Sequence, residues 1–140
     1  MTGLDSWYGY MKSHDRAQAR AALWDLLHPD AVFESPVVHA PQRGRDITFK
    51  YLTSAAKVLG GPTFKYLGEW KSDSGAVLEF ENEIDGIKLN GVDIITFDGD
   101  GRITHFKVMV RPLKAINLLH RMMGEELMNQ SGATSQSQSR

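Results

Sequence analysis

Polar and apolar residues alternate most cleanly between residues 76 and 85. Leu78, Phe80, Asn82 and Ile84 fall on one face of a strand, and Val77, Glu79, Glu81, Glu83 and Asp85 on the other. Three further runs, 64–71, 88–97 and 102–111, have the same strand chemistry. Ser-Asp-Ser-Gly at 72–75, Asp85-Gly86 and Asp98-Gly99-Asp100-Gly101 separate the four as turns. The first half of the chain has a helical period instead. Leu4, Trp7, Tyr8 and Met11 are helix-spaced, and Ser13-His14-Asp15 breaks the pattern with a new N-cap. Ala19, Ala22, Leu23, Leu26 and Leu27 form a second apolar stripe, ended by Pro29-Asp30. A short strand at 31–35 is stopped by Pro36, and a loop with two prolines runs to Gly44. Ile47, Tyr51, Ala55, Val58 and Leu59 share a face of a third helix, opened by Asp46 and stopped by Gly60-Gly61-Pro62. After Pro112, Leu113, Ile116, Leu119, Met122 and Met123 predict a short C-terminal helix. The order is helix, helix, strand, helix, then four strands joined by short turns. Antiparallel hairpins with segregated helices make an α+β fold. A curved sheet wrapped over the N-terminal helices encloses a pocket.

With 140 residues, one domain is expected, over residues 1–128, followed by a disordered Ser/Gln-rich tail at 129–140. Net charge is −1, which argues against nucleic acid or an anionic membrane as partner. No cysteine is present, so disulfides, thiol chemistry and Cys-ligated metal are excluded. No His pair has metal-ligand spacing, so no metal site is expected, and no cofactor. There is no secretory leader pattern and no run near the ~20 apolar residues of a membrane span. The expected location is cytoplasmic.

One charge disturbs this picture. Asp93 lies within the apolar run Val92, Ile94, Ile95, Thr96, Phe97, where a carboxylate is costly to bury. Its meaning depends on the hairpin register. A two-residue loop, Gly99-Asp100, sets Asp93 opposite Phe106 and facing the interior. A three-residue loop, Gly99-Asp100-Gly101, sets it opposite Lys107 as half of a surface ion pair, worth under ~1 kcal/mol. A slip of one residue exchanges the faces, and periodicity does not choose between them. Asn82 also interrupts an apolar face, as a pocket contact or as a satisfied core amide.

The layout resembles the NTF2-like superfamily, with the SnoaL-like and ketosteroid isomerase-like branch nearest. The residues carrying the resemblance are HPDAVFESPVV before GRDITFKYL, and DIITFDGDGRIT before a final strand, within about residues 5–112. It implies a cone-shaped, cystatin-like α+β barrel with an apolar pocket, and a homodimer through the outer sheet face. In ketosteroid isomerase, Asp-x-x-x-Phe-Asp-x-x-Gly-x-Ile carries a protonated aspartic acid that hydrogen-bonds a developing oxyanion. Asp93, Phe97, Asp98, Gly101 and Ile103 occupy that pattern here. That enzyme is the standard example of an apolar site raising a carboxyl pKa. By this resemblance Asp93 is an oxyanion donor or general acid, which favours the two-residue loop. The family's base, an aspartate before the proline, is replaced by Ser35.

The expected function is binding of a hydrophobic small molecule, with cofactor-free isomerisation or cyclisation of a polyketide- or steroid-like ketone as the possible chemistry. Asp93 would polarise the carbonyl, and a base such as His39, with an unperturbed pKa near ~6.5, would move a proton. Asn82, Phe80, Phe106, Tyr51, Phe33, Trp24 and Tyr10 are the expected pocket residues. The alternative is a protein of the same fold that binds a ligand without chemistry or serves dimeric assembly.

Overall fold

The computed structural model describes residues 2–135, with 130–135 as helix backbone alone. The helix starts follow local capping chemistry. Helix α1 (Gly3–Lys12) opens on a capping box, in which the Thr2 hydroxyl accepts from the Asp5 amide and the Asp5 carboxylate accepts from the Thr2 amide. Helix α2 (Arg16–Leu26) is capped by Asp15, at the break expected from Ser13-His14-Asp15. Strand β1 (Leu27–Glu34) starts at Leu27 rather than residue 31, because Pro29 and Asp30 are accommodated before its pairing becomes regular at Val32. Strand β2 (Gln42–Arg43) lies in the segment expected to be loop and pairs with Val32 and Phe33 of β1. It is too short to show a period. Helix α3 (Arg45–Leu59) is followed by β3 (Lys65–Lys71), β4 (Gly75–Ile84), β5 (Ile87–Phe97) and β6 (Ile103–Arg111). Asp85 and Gly86, with φ of 53° and 78°, form the two-residue β4–β5 turn. Helix α4 (Leu113–Ser135) is longer than expected and runs through the first part of the stretch assigned to a tail. No proline interrupts it, and Glu, Leu, Met and Gln sustain helix well. The rest of that assignment, 136–140, lies outside the described residues.

The six strands form one curved, open sheet in the order β2-β1-β6-β5-β4-β3. It is mixed rather than wholly antiparallel, since β1 and β6 run parallel. Only hairpin-linked neighbours must be antiparallel, and β1 reaches β6 through the whole intervening chain. The inner face packs beneath α1, α2 and α3, burying Leu23, Leu27, Leu78, Phe80, Ile95, Ile103 and Phe106 almost completely. Gly91 lets this layer close. A Cβ there would stand 2.6 Å from the Phe80 ring and 2.5 Å from the Met109 carbonyl oxygen. Among the described residues no helix is long and apolar enough to cross a membrane.

Candidate functional site

The β5–β6 hairpin decides where Asp93 points, and it matches neither simple register. The Asp98 amide donates to the Arg102 carbonyl, and the Gly101 amide to the Asp98 carbonyl. Gly99, Asp100 and Gly101 therefore form a three-residue loop, with Gly101 at φ 82°. Phe97 pairs with Ile103, but Thr96 pairs with His105, so Thr104 is an extra residue in β6. The bulge undoes the change of face that the loop alone would impose. Asp93 pairs with Val108 rather than Phe106 or Lys107, and remains on the inner face. Its partner on β4 is Leu78, and its same-face neighbours on β5 are Gly91 and Ile95.

Asp93 is 7% exposed in these apolar surroundings. The Tyr66 hydroxyl donates to its Oδ2 at 2.6 Å, and the Trp7 indole N–H donates to the Tyr66 oxygen at 3.1 Å. Burial pushes the Asp93 carboxyl up to about 7, against the Tyr66 hydrogen bond, which favours the charged form. Burial, and then the neighbouring Asp93 charge, hold the Tyr66 phenol far above its ordinary value. Near neutral pH, Tyr66 is thus a fixed donor while Asp93 exchanges between acid and carboxylate.

Asp93 lies in the wall of a cavity of about 480 Å³ between the sheet and α1, α2 and α3. Phe33, Phe64, Phe80, Phe106, Val108 and Leu52 supply much of its apolar lining. Tyr10 also lines this cavity; its buried hydroxyl meets no geometric hydrogen-bond partner among the described residues, although the Arg16 guanidinium acts on it. A buried hydroxyl left in this state is a ready donor to an oxygen in the cavity.

Of the residues expected at a pocket, the structure brings Asp93, Tyr10, Phe33, Phe80 and Phe106 together. Four lie elsewhere. Asn82 is a structural amide. It donates to the Leu59 carbonyl at the end of α3 and accepts from the Thr63 hydroxyl and the Glu83 amide. Trp24 packs edge-on against Phe49 beneath the Arg45 guanidinium, which also donates to the Trp24 carbonyl. Tyr51 stacks on Phe33 outside the cavity lining. His39 is exposed beside a shallow groove with Glu34, Ser35 and Lys107, because the segment after Pro36 carries it away from the cavity. The expected acid and base are therefore not in one site. Tyr66 and Trp7 belong to the site but were not among the expected residues. Alternation over 64–67 was the available signal for Tyr66, but its reach to Asp93 crosses β4. Among the described residues, no group of three or more His, Asp or Glu side chains is placed to hold a metal ion.

Known proteins agree with this architecture. A family model described as a SnoaL-like domain matches residues 5–106. A steroid delta-isomerase from Pseudomonas aeruginosa is 34% identical, with a TM-score of 0.76 over 94% of this chain and 90% of its own. An uncharacterised protein with a cystatin-like fold from Silicibacter pomeroyi is 27% identical, with a TM-score of 0.74 over 80% and 78%. An NTF2-like protein of unknown function from Mesorhizobium loti shares the fold, at 22% identity and a TM-score of 0.63 over 79% and 91%. No curated protein matches the sequence. The matched family model covers most of the chain and the geometry agrees with it: the protein belongs to the SnoaL-like family, with an NTF2-like fold.

Proposed function

We propose that the cavity binds an apolar small molecule bearing a carbonyl, with protonated Asp93 donating a hydrogen bond to the carbonyl oxygen. One observation carries this reading: a carboxyl that burial keeps protonated up to about pH 7 borders an aromatic-lined cavity. A neutral acid in a dry site is a strong, preorganised donor to oxygen that gains charge. The Tyr10 hydroxyl supplies a second donor. The direct test is binding of an apolar ketone across pH. Affinity should fall as pH rises through about 7, where Asp93 loses its proton. Asp93→Ala should weaken binding about tenfold, equivalent to about 1.4 kcal/mol. Affinity unchanged by both pH and substitution would sink the assignment.

A second reading is turnover, favoured by the 34% identity with the steroid delta-isomerase. Ser35 stands where the family places its base, and among the described residues Asp93 is the only carboxylate in the cavity wall. Isomerisation of an unsaturated ketone needs one base that takes a proton from one carbon and returns it to another. Ionised Asp93 would fill that role, with Tyr10 holding the enolate oxygen. Turnover would then rise with pH through about 7, opposite in sign to ketone binding. His39→Ala should leave it unchanged.

A further inference from the structure

The cavity wall is electrostatically uneven. Its buried wall carries Asp93, while three exposed cations, Arg16, Arg20 and Lys57, also line it, Arg16 against the Tyr10 ring. Arg16 and Arg20 are four residues apart on α2 and so occupy the same side of that helix. Lys57 is in the last turn of α3 and pairs with Glu126 at 3.4 Å. Neither arginine has a carboxylate partner among the described residues. Their heads are nevertheless held in place. The Arg16 guanidinium lies 4.9 Å from the centre of the Tyr10 ring, and its Nη1 donates to the Tyr10 and Ser13 carbonyls. The Arg20 guanidinium lies over Phe49, 5.0 Å from the ring centre. Other guanidinium N–H groups remain for a ligand, in a geometry suited to a planar oxyanion. A chain with a net charge of −1 has therefore placed two guanidinium groups without a carboxylate partner among the described residues beside this apolar cavity.

We infer that the ligand is amphipathic: an apolar body with an oxygen acceptor for Asp93 and a carboxylate held by Arg16 and Arg20. This rests on the cavity being a small-molecule site and adds the ligand's charge. Lys57 contributes to the field at the mouth, though Glu126 offsets it. The aromatic walls accept the apolar body, and the exposed arginines allow the carboxylate to keep part of its hydration.

The test uses three rigid keto acids of increasing length, 4-acetylbenzoate, 6-acetyl-2-naphthoate and 4′-acetylbiphenyl-4-carboxylate, each beside its methyl ester. Dissociation constants are measured for the full chain by calorimetry. At least one acid should bind about tenfold more tightly than its ester, and added salt should reduce that preference. Arg16→Met with Arg20→Met should bring acid and ester within about twofold. Arg20→Met alone, which removes only a ring contact, should remove part of the preference if the double variant folds poorly. Equal binding of acid and ester to the wild type, or a preference that survives loss of both arginines, would overturn the inference while leaving the cavity reading intact. Binding of neither series would overturn both.

Discussion

Tyr66 on β3 donates a 2.6 Å hydrogen bond to Asp93 on β5, across the intervening strand β4. The bond joins two positions 27 residues apart and fixes the only carboxylate in the cavity wall among the described residues. With Trp7 donating to Tyr66, three elements share one polar chain inside an apolar layer. Such a chain is sensitive to the loss of any member, because a buried partner is then left unsatisfied.

The first consequence is a pH-dependent cost to stability. Below about pH 3.8 the carboxyl is protonated in both folded and unfolded chains, and there is no cost. As pH rises to about 7, the unfolded chain ionises while buried Asp93 keeps its proton, so stability falls. A shift from 3.8 to about 7 corresponds to about 4 kcal/mol at most, constant above the folded value. Asp93→Asn does not titrate. Its melting temperature should gain on the wild type between pH 4 and 7 and stay ahead above that. Parallel profiles in thermal denaturation from pH 4 to 8 would contradict the buried acid.

Tyr66→Phe removes the one hydrogen bond that favours the Asp93 carboxylate. The Asp93 carboxyl should then titrate above 7, read from its carbon-13 chemical shift. The Trp7 indole N–H loses its acceptor, at a cost of about 1–3 kcal/mol in denaturant unfolding. A titration unchanged by the substitution would show that the phenol does not act on the carboxyl.

Asn82→Ala separates packing from binding. It leaves the Leu59 carbonyl and the Glu83 amide without this partner, which should cost about 1–3 kcal/mol. Ketone affinity should change by less than about threefold, since Asn82 is not in the cavity wall. A large loss of affinity at unchanged stability would restore the amide to the site.

The outer sheet face is the proposed surface for a second copy. Trp70 and Met109 are 58% and 50% exposed there, paired across the ladder with Val77 and Val92. Glu79 and Glu81 lie on β4 to one side of β5, with His105 and Lys107 on β6 to the other. A two-fold axis along β5 would set β4 of one copy over β6 of the other, although Glu81 already pairs with Lys65 and Lys107 with Glu34 within the chain. Sedimentation equilibrium should show a dimer at micromolar concentration, and Ile94→Glu should give a folded monomer. A wild-type monomer under those conditions would rule this face out as a stable self-interface.

Local chemistry made much of the fold legible. Period-two alternation marks β4, the cap Asp15 and the first-turn acid Asp46 mark helix starts, and Asp85-Gly86 marks a turn with both residues at positive φ. Each depends on a few adjacent residues. The C-terminal boundary was less legible, because a polar Ser/Gln-rich composition does not by itself stop a helix such as α4.

The site was legible one residue at a time but not as a set. Asp93 announced itself as a charge in an apolar run, and Phe80 and Phe106 as inward positions of their strands. Asn82 broke the pattern just as visibly, yet its amide is spent on Leu59, Thr63 and Glu83. His39 had suitable chemistry and lies outside the cavity. The sequence by itself determined every element but the short β2, the order of those elements and the presence of a carboxyl in an apolar strand, because these follow from nearest neighbours. Tertiary structure decided that Thr104 bulges, that Asp93 therefore faces inward, and that Tyr66 and Trp7 meet it. Register and cross-strand reach join residues far apart in the chain, and one added residue in a strand reverses the faces.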